Sequence, residues 1–296
     1  MELVFLGTSC MIPTKERNHS AMLLTYRGEN ILIDCGEGTQ KQFKIAGIKP
    51  TKITKILISH WHGDHCLGLP GLIQTIDKEG YNKTLEIYGP TGTKKKVESL
   101  LKIFSGDMNI DIEIKDVEKR RFFENNDFIL EALELKHGIK TLGFAFIEKD
   151  RRKINLNDIE KFNIPKGPLL GKLQNGKTIK LHGKIIKPDD VSDITKGRKI
   201  SYIADTVPCK NALLLAEESD LLVCESCYHS DFAEKAEKYM HMTAKQAGEI
   251  ANQTNSKKLV LTHFSQRYKN AEILEEDAKD VFDNVVAARD FMKIKL

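Results

Sequence analysis

Short apolar runs of strand character, bounded by turn residues, open the chain at Glu2–Leu6, Ala21–Tyr26 and Ile31–Asp34. The stretch "CGEGTQKQFKIAG" reads as a Gly-rich turn leading into a short helix that Gly47 ends. A strand at Lys55–Ser59 follows, then a helix reaching about Glu79. "TLEIYGP" predicts a strand, "TGTKKKVESLLKIF" a helix, and "FILEALELKHG" and "LGFAFIEK" two more strands. Farther on come strand Ile200–Ala204, helix Asn211–Glu218, strand Asp220–Glu225, helix Thr243–Asn252 and strand Lys258–Thr262. A long last helix is expected from about Ala271 to Arg289. No repeat at solenoid periods interrupts this order. Strands lead each half and helices interleave with them. The economical solution is an α/β fold of two packed sheets with helices outside, a four-layer αββα sandwich in one domain over 1–296.

Residues 148–190 break the pattern. They have weak apolar periodicity and carry "IPKGP", "LQNGK" and "LHGK". This predicts an inserted flexible arm that projects from the domain rather than forming a second core. Charge singles out the same segment. It holds eleven Lys/Arg against six Asp/Glu, a surplus of +5 in a chain whose net charge is +4. A local basic surplus is how a polyanion-binding surface is built.

Composition narrows the setting. Hydrophobic residues make up 41% and charged ones 30%, in keeping with a water-soluble globular protein, and no apolar run is long enough to span a bilayer. "MELVFLGTSC" lacks the basic region of a signal peptide. Six cysteines are scattered without small-disulfide spacing, which points to a reducing cytoplasm.

Candidate chemistry concentrates in "ILISHWHGDHCLGL", residues 56–69, where His60, His62, Asp64 and His65 fall within six residues of a chain with nine histidines. A strand stopping at Ser59 delivers His60 to a sheet edge. Residues two apart in a loop can converge, so His60 and His62 can share a metal, while Asp64 and His65 face a neighbouring point. Imidazole with carboxylate suits zinc and, less selectively, iron or manganese. Four such donors are too many for one open catalytic site and too few for two, so other strand ends must contribute. Three do: His137, Asp205 and His263 each follow an apolar strand. Strand ends are where open α/β sheets place their chemistry.

"HWHGDH" matches the H-x-H-x-D-H signature of the metallo-β-lactamase superfamily. More narrowly, the chain resembles the ribonuclease Z (tRNase Z) family in its short form, the tRNA 3′-processing endonucleases. The resemblance runs over essentially the whole length. It is carried by "LGTSCMIPTKERN", "LIDCGEGTQKQ", "SHWHGDHCLGLPGLI", "ADTVPC", "CES…HMTAKQAGEIA" and a basic insertion where the family places its tRNA-gripping arm. Val207 stands where the family has arginine, Ala204 where it usually has glycine, and "CESCY" replaces a glutamate-alanine-threonine run that Glu225 still begins.

The resemblance implies a metallo-β-lactamase-type sandwich with two Zn2+ per subunit. His60, His62 and His137 would hold one ion; Asp64, His65 and His263 the other; Asp205 would bridge them. A water ionised between the metals would attack the phosphorus after the acceptor stem. Asp64 would orient it and take its proton. His241, held by Glu225, would protonate the leaving ribose 3′-oxygen. The products would be a tRNA 3′-hydroxyl and a trailer 5′-phosphate. Lys15 and Arg17 would grip the backbone near the scissile phosphate, and Lys166, Gly167, Pro168 and Lys172 would belong to the arm's tRNA-binding surface. The family works as a homodimer on tRNA precursors, without a membrane partner. Two other readings stand beside this one: a small-molecule phosphodiesterase or thioesterase of the same superfamily, and a non-catalytic RNA-binding protein. His19 is read as structural, His182 as facing solvent or phosphate, Cys224 and Cys227 as strand-end residues and Lys94–Lys96 as a solvated face, while His229 fits equally a packing position or one near the site.

Overall fold

The computed structural model describes residues 1–103 and 108–296. Six strands come first: β1 (Glu2–Gly7), β2 (Ala21–Tyr26), β3 (Glu29–Ile33), β4 (Lys55–Leu57), β5 (Thr84–Gly89) and β6 (Asp111–Asp116). Next are β7 (Arg121–Glu124), β8 (Phe128–Leu135) and β9 (Thr141–Glu148). Four short strands follow: β10 (Arg151–Ile154), β11 (Ile179–Leu181), β12 (Lys184–Ile186) and β13 (Ser192–Thr195). The chain closes with β14 (Lys199–Ile203), β15 (Leu221–Glu225), β16 (Leu259–Thr262), β17 (Val285–Ala287) and β18 (Lys293–Lys295). Two seven-stranded mixed sheets result, in the orders β18-β1-β2-β3-β4-β5-β6 and β17-β16-β15-β14-β9-β8-β7. Each begins with antiparallel pairs and ends in parallel ones, β3 to β6 in the first sheet and β14 to β17 in the second.

The two-residue period of the strands sorts side chains between layers. Leu3 and Phe5 of β1, and Met22, Leu24 and Tyr26 of β2, join Phe128, Leu130, Phe144 and Phe146 in the core shared with the second sheet. Their neighbours Val4, Leu6, Ala21 and Leu23 face the other way, packing with Phe43, Leu69, Leu72, Ile73, Ile76 and Val97 from the covering helices. On the far side of the second sheet, helix Ala244–Gln253 buries Ala247, Ile250 and Ala251. This is the expected four-layer arrangement.

Two regions differ from the sequence reading. The last long helix is only Glu272–Lys279. After it, Val285–Ala287 pairs with Leu259–Leu261, and Lys293–Lys295 returns to β1. "FDNVVAARD" has a helical rhythm, but the turn-forming Asp283 and Asn284 break it, and an open position beside β16 takes the β-branched pair Val285–Val286. Strands β6 and β7 were also unforeseen. β6 is a charged edge strand, "DIEIKD", whose side chains are all exposed or half-buried. Such edges resist pairing with other chains. The helix expected to end at Phe104 runs Thr93–Leu101, and Phe104 itself lies outside the described residues.

The basic segment is more ordered than an arm without a core. β10 and β13 pair antiparallel and form a stem. Beyond it, Ile159, Ile164, Leu173, Ile179, Ile186 and Val191 bury one another in a small cluster separate from the two main cores. These residues come from several short elements, so no periodicity announced them. The stem also moves the natural boundary from 148–190 to 151–195. Glu148 ends β9 and is buried, accepting from Tyr26 Oη at 3.0 Å and Arg198 Nε at 2.8 Å.

Candidate metal centre

Both sheets send strand ends to one place. From the first come Asp34 after β3 and Ser59–His60 after β4; from the second, His137 after β8, Asp205 after β14 and His263 after β16. The edges are tied by Leu142 N donating to Ser59 O at 2.9 Å. His62 precedes the single helical turn Gly63–Cys66, which carries Asp64 and His65. This turn sits against the backbone of the Gly-rich loop. A Cβ on Gly36 would fall 2.3 Å from Asp64 O, and one on Gly68 would fall 2.0 Å from Gly36 O, so only glycine permits the approach.

The donor atoms form two groups. In one, His60 Nε2 lies 3.0 Å from His62 Nδ1 and 3.6 Å from Asp205 Oδ2, and His62 Nδ1 lies 3.3 Å from His137 Nε2. In the other, His65 Nε2 lies 3.2 Å from His263 Nε2, 3.5 Å from Asp64 Oδ2 and 3.4 Å from Asp205 Oδ1. His263 Nε2 is 3.4 Å from Asp64 Oδ2 and 3.3 Å from Asp205 Oδ1. The two oxygens of Asp205 therefore face different groups. Donors held about 2.0–2.2 Å from one zinc at tetrahedral angles stand roughly 3.3–3.6 Å apart. Both groups come close to that geometry, with the His60–His62 pair, at 3.0 Å, and the His65–His263 pair, at 3.2 Å, a little tighter. Asp64 Oδ1 and Asp205 Oδ1 are buried without a hydrogen-bond donor, which fits a cation as their partner.

The far nitrogens of these rings are held from behind. His60 Nδ1 meets Ser59 Oγ at 3.0 Å, His65 Nδ1 donates to Asp34 Oδ2 at 2.8 Å, and His137 Nδ1 donates to Met240 O at 2.9 Å. Such contacts fix tautomer and ring orientation. Asp34 was not singled out from the sequence, yet it organises the centre. It accepts from Ser59 N at 2.7 Å, Ser59 Oγ at 2.8 Å and Tyr202 Oη at 3.0 Å as well as from His65. Its signal was available: an aspartate ending an apolar strand, as Asp205 does, here before a Gly-rich turn. Asp34 and His263 both hold left-handed backbone, φ 57° and 63°. For residues with a side chain this costs on the order of 1–3 kcal/mol and clusters at functional sites.

Charge balance within the protein follows from these contacts. Burial favours neutral Asp64 and Asp205, but adjacent histidines overcome it and hold both carboxyls well below the usual range. Burial likewise disfavours protonated His65 and His263, but the surrounding carboxylates push both well above the ordinary imidazole value. His60 goes the other way, lowered by burial and by His65. Without a cation, protons on histidine balance the buried carboxylates; a cation would displace them.

Beside the centre, Glu225 Oε1 accepts from Thr206 N at 2.6 Å and from His241 Nδ1 at 3.1 Å. Burial alone would lower the His241 pKa, but Glu225 and Asp205 raise it to about 9. A capping box positions the ring: Thr243 Oγ1 accepts from Gln246 N and Gln246 Oε1 accepts from Thr243 N, starting a helix two residues after His241. His241 also lines a cleft of about 610 Å³ with Lys136, Val207, Pro208 and Met240.

Other sequence candidates are placed differently. Arg17 is buried, with Nη2 donating to Tyr268 O at 2.6 Å, so it ties the N-terminal loop to the body instead of reaching for a phosphate. A guanidinium has the donors to satisfy carbonyls in such a loop. Lys15 remains exposed. Lys166, Gly167, Pro168 and Lys172 are exposed on the arm around the start of helix Pro168–Gln174, and they do not join the centre. His19 bonds Met11 O at 3.1 Å, and His229 Nδ1 caps a short turn by accepting from Asp231 N, both structural roles.

Residues 1–156 match the family model described as Anti-Pycsar protein Apyc1. That half carries His60, His62, Asp64, His65 and His137 but ends before Asp205, Glu225, His241 and His263. Similarity over the entire length lies elsewhere. Ribonuclease Z of Methanothermobacter thermautotrophicus is 38% identical over 297 residues, covering 100% of this chain and 97% of its own. The chain belongs to the ribonuclease Z family. Ribonuclease Z of Protochlamydia amoebophila is 40% identical, with 98% of this chain and 95% of that one covered. Among solved structures, human tRNase Z, short form, superimposes with a TM-score of 0.74 at 28% identity, covering 100% of this chain and 99% of the other. The metallo-β-lactamase fold protein YhfI from Bacillus subtilis shares the fold, with a TM-score of 0.72 at 18% identity over 99% and 98% of the two chains. The match to ribonuclease Z thus runs past residue 156, over the stretch in which Asp205, Glu225, His241 and His263 lie.

Proposed function

We propose that this chain is a metal-dependent endoribonuclease that removes the 3′ trailer of tRNA precursors, leaving a tRNA 3′-hydroxyl and a trailer 5′-phosphate. The observation that carries the reading is Asp205, whose two oxygens each complete a four-donor set, in a chain matched to ribonuclease Z end to end. Two Zn2+ would be the resident ions, with His60, His62, His137 and Asp205 to hold one and Asp64, His65, His263 and Asp205 to hold the other. Bound cations supply Lewis acidity to the scissile phosphate and make water ionisable near neutral pH.

The chain's own groups do the rest. Asp64 orients the attacking water and accepts its proton. His241, whose charged ring Glu225 stabilises, delivers a proton to the ribose 3′-oxygen. Lys136 and the cleft beside His241 receive the nucleotide next to the scissile bond. The exposed arm lysines, including Lys166 and Lys172, meet tRNA phosphates, a contact made to folded shape rather than base edges. By resemblance the protein acts as a homodimer in the cytoplasm, one subunit's arm presenting tRNA to the other's cleft. All six cysteines are free, in keeping with a reducing compartment. Among the described residues no helix is long and apolar enough to cross a membrane.

An end-mapped cleavage assay on one precursor transcript tests the reading. A single cut at the end of the acceptor stem, lost with chelator and restored by zinc, is expected. Cutting at scattered positions, or at the same rate under chelation, would overturn it. His241→Ala lowers kcat about 10²–10⁴-fold on the precursor, the range for loss of a general acid. A diester with a good leaving group, such as bis(p-nitrophenyl) phosphate, needs no such proton and should lose less than about tenfold. Equal losses on both substrates would remove His241 from the acid role.

A further inference from the structure

Cys10, Cys227 and His241 converge beside the metal centre, with Cys10 and His241 both adjoining His263. Their sulfur and ring-nitrogen atoms all lie within 4.8 Å of one another. Cys227 is fully buried and Cys10 half-buried against it. None of the three belongs to the two donor sets that share Asp205. We propose that Cys10, Cys227 and His241 form a third, thiophilic cation site, and that filling it inhibits the enzyme.

The backbone argues for a bridging ion rather than a disulfide. Cys10 N donates to Phe264 O at 3.0 Å, while Ser265 N donates to Cys227 O at 3.3 Å. The segment Phe264–Ser265 therefore runs between the two cysteine-bearing segments. Neighbouring extended segments sit about 4.8 Å apart, so the two cysteine backbones stand about two such spacings from each other. A disulfide needs Cα atoms within roughly 4.4–6.8 Å. An ion bonded to two sulfurs at about 2.3 Å spans a wider gap. Two thiolates with one imidazole are a soft donor set, which selects copper(I), cadmium or surplus zinc over magnesium or calcium. Binding a divalent ion releases both thiol protons to solvent, and the ion keeps the two sulfur charges.

The consequence for catalysis rests on the role assigned above to His241. An imidazole nitrogen that coordinates a cation cannot deliver a proton, so the leaving 3′-oxygen goes unprotonated. The dinuclear centre would remain loaded while cleavage stopped.

The test uses the zinc-loaded full-length protein and cadmium chloride as probe. The dinuclear donor sets contain no sulfur, so a thiolate-to-cadmium charge-transfer band in the ultraviolet reports binding at cysteine, and its loss in the Cys10 and Cys227 variants assigns it to the third site. One added equivalent should bring up the band without zinc release, at three ions per chain. Precursor cleavage should fall by at least about 10²-fold. Cys10→Ser and Cys227→Ser, made separately, should each bind two ions, show little band and keep their cleavage when cadmium is added. His241→Ala should weaken the third ion. No band, or an undiminished band in both cysteine variants, overturns the site. A full band with unchanged cleavage overturns the inhibition. The absorbance and stoichiometry decide the site even if the protein fails to cut a tRNA precursor.

Discussion

Asp205→Ala abolishes precursor cleavage, by on the order of 10³-fold or more, and strips metal from both positions. Among the described residues no other single side chain serves both donor groups. Asp205 Oδ2 faces His60 at 3.6 Å and Oδ1 faces His65 at 3.4 Å and His263 at 3.3 Å. Removing it leaves each ion three protein donors and takes one buried negative charge from between two positive ions. It also removes the counter-charge of the protonated His65 and His263 in the metal-free protein. The loss should therefore appear in bound zinc, falling from two ions per chain to fewer than one, and in a lower melting temperature in the presence of zinc, since an ion that binds only the folded form stabilises it. Asp205→Asn keeps the shape and one oxygen and should retain an intermediate amount of metal. An Asp205→Ala protein that still held two ions and cut precursor normally would end the dinuclear reading.

Excising 151–195 and joining the ends with a short Gly-Ser linker should lower cleavage of a tRNA precursor by about 10²-fold or more while leaving hydrolysis of a small diester within about twofold. The size of the first effect follows from losing several phosphate contacts at physiological salt. The second follows from the packing. The arm's apolar residues form their own cluster, and the stem strands β10 and β13 pair only with each other, so the two main cores stay intact. The full-length protein should lose affinity for precursor steeply as salt rises, and the excised protein should show a shallower slope. Equal loss on both substrates would mean that the arm supports the fold rather than the substrate. Unchanged precursor cleavage would favour a small-molecule enzyme.

The legible parts of the sequence were those in which chemistry and local pattern coincide. His60, His62, Asp64 and His65 are close in the chain, so their convergence needed only a strand end and one helical turn. His137, Asp205 and His263 were legible as ligand-type residues ending apolar strands. The start of the helix after His241 was written in Thr243 and Gln246. By contrast, Arg17 looks like a phosphate grip, and only the position of the Tyr268 carbonyl turns it inward. The strand at Val285–Ala287 is shaped by the open side of β16, a partner 26 residues away in register. The arm's cluster draws one or two residues from each of several short elements, below the length at which a period can be read.

The sequence by itself determined an αββα sandwich and seven candidate donors, because strand period, strand ends and ligand types are local properties that survive without coordinates, while its motifs carried the resemblance to the family. The resemblance already implied how the donors divide; tertiary structure alone decided which oxygen of Asp205 faces each group, that Asp34 holds His65 from behind, and that Cys10 meets Cys227 beside His241. Those facts depend on the facing of two sheets and on distances of a few ångströms between segments up to about two hundred residues apart, which side-chain packing sets and no local pattern encodes.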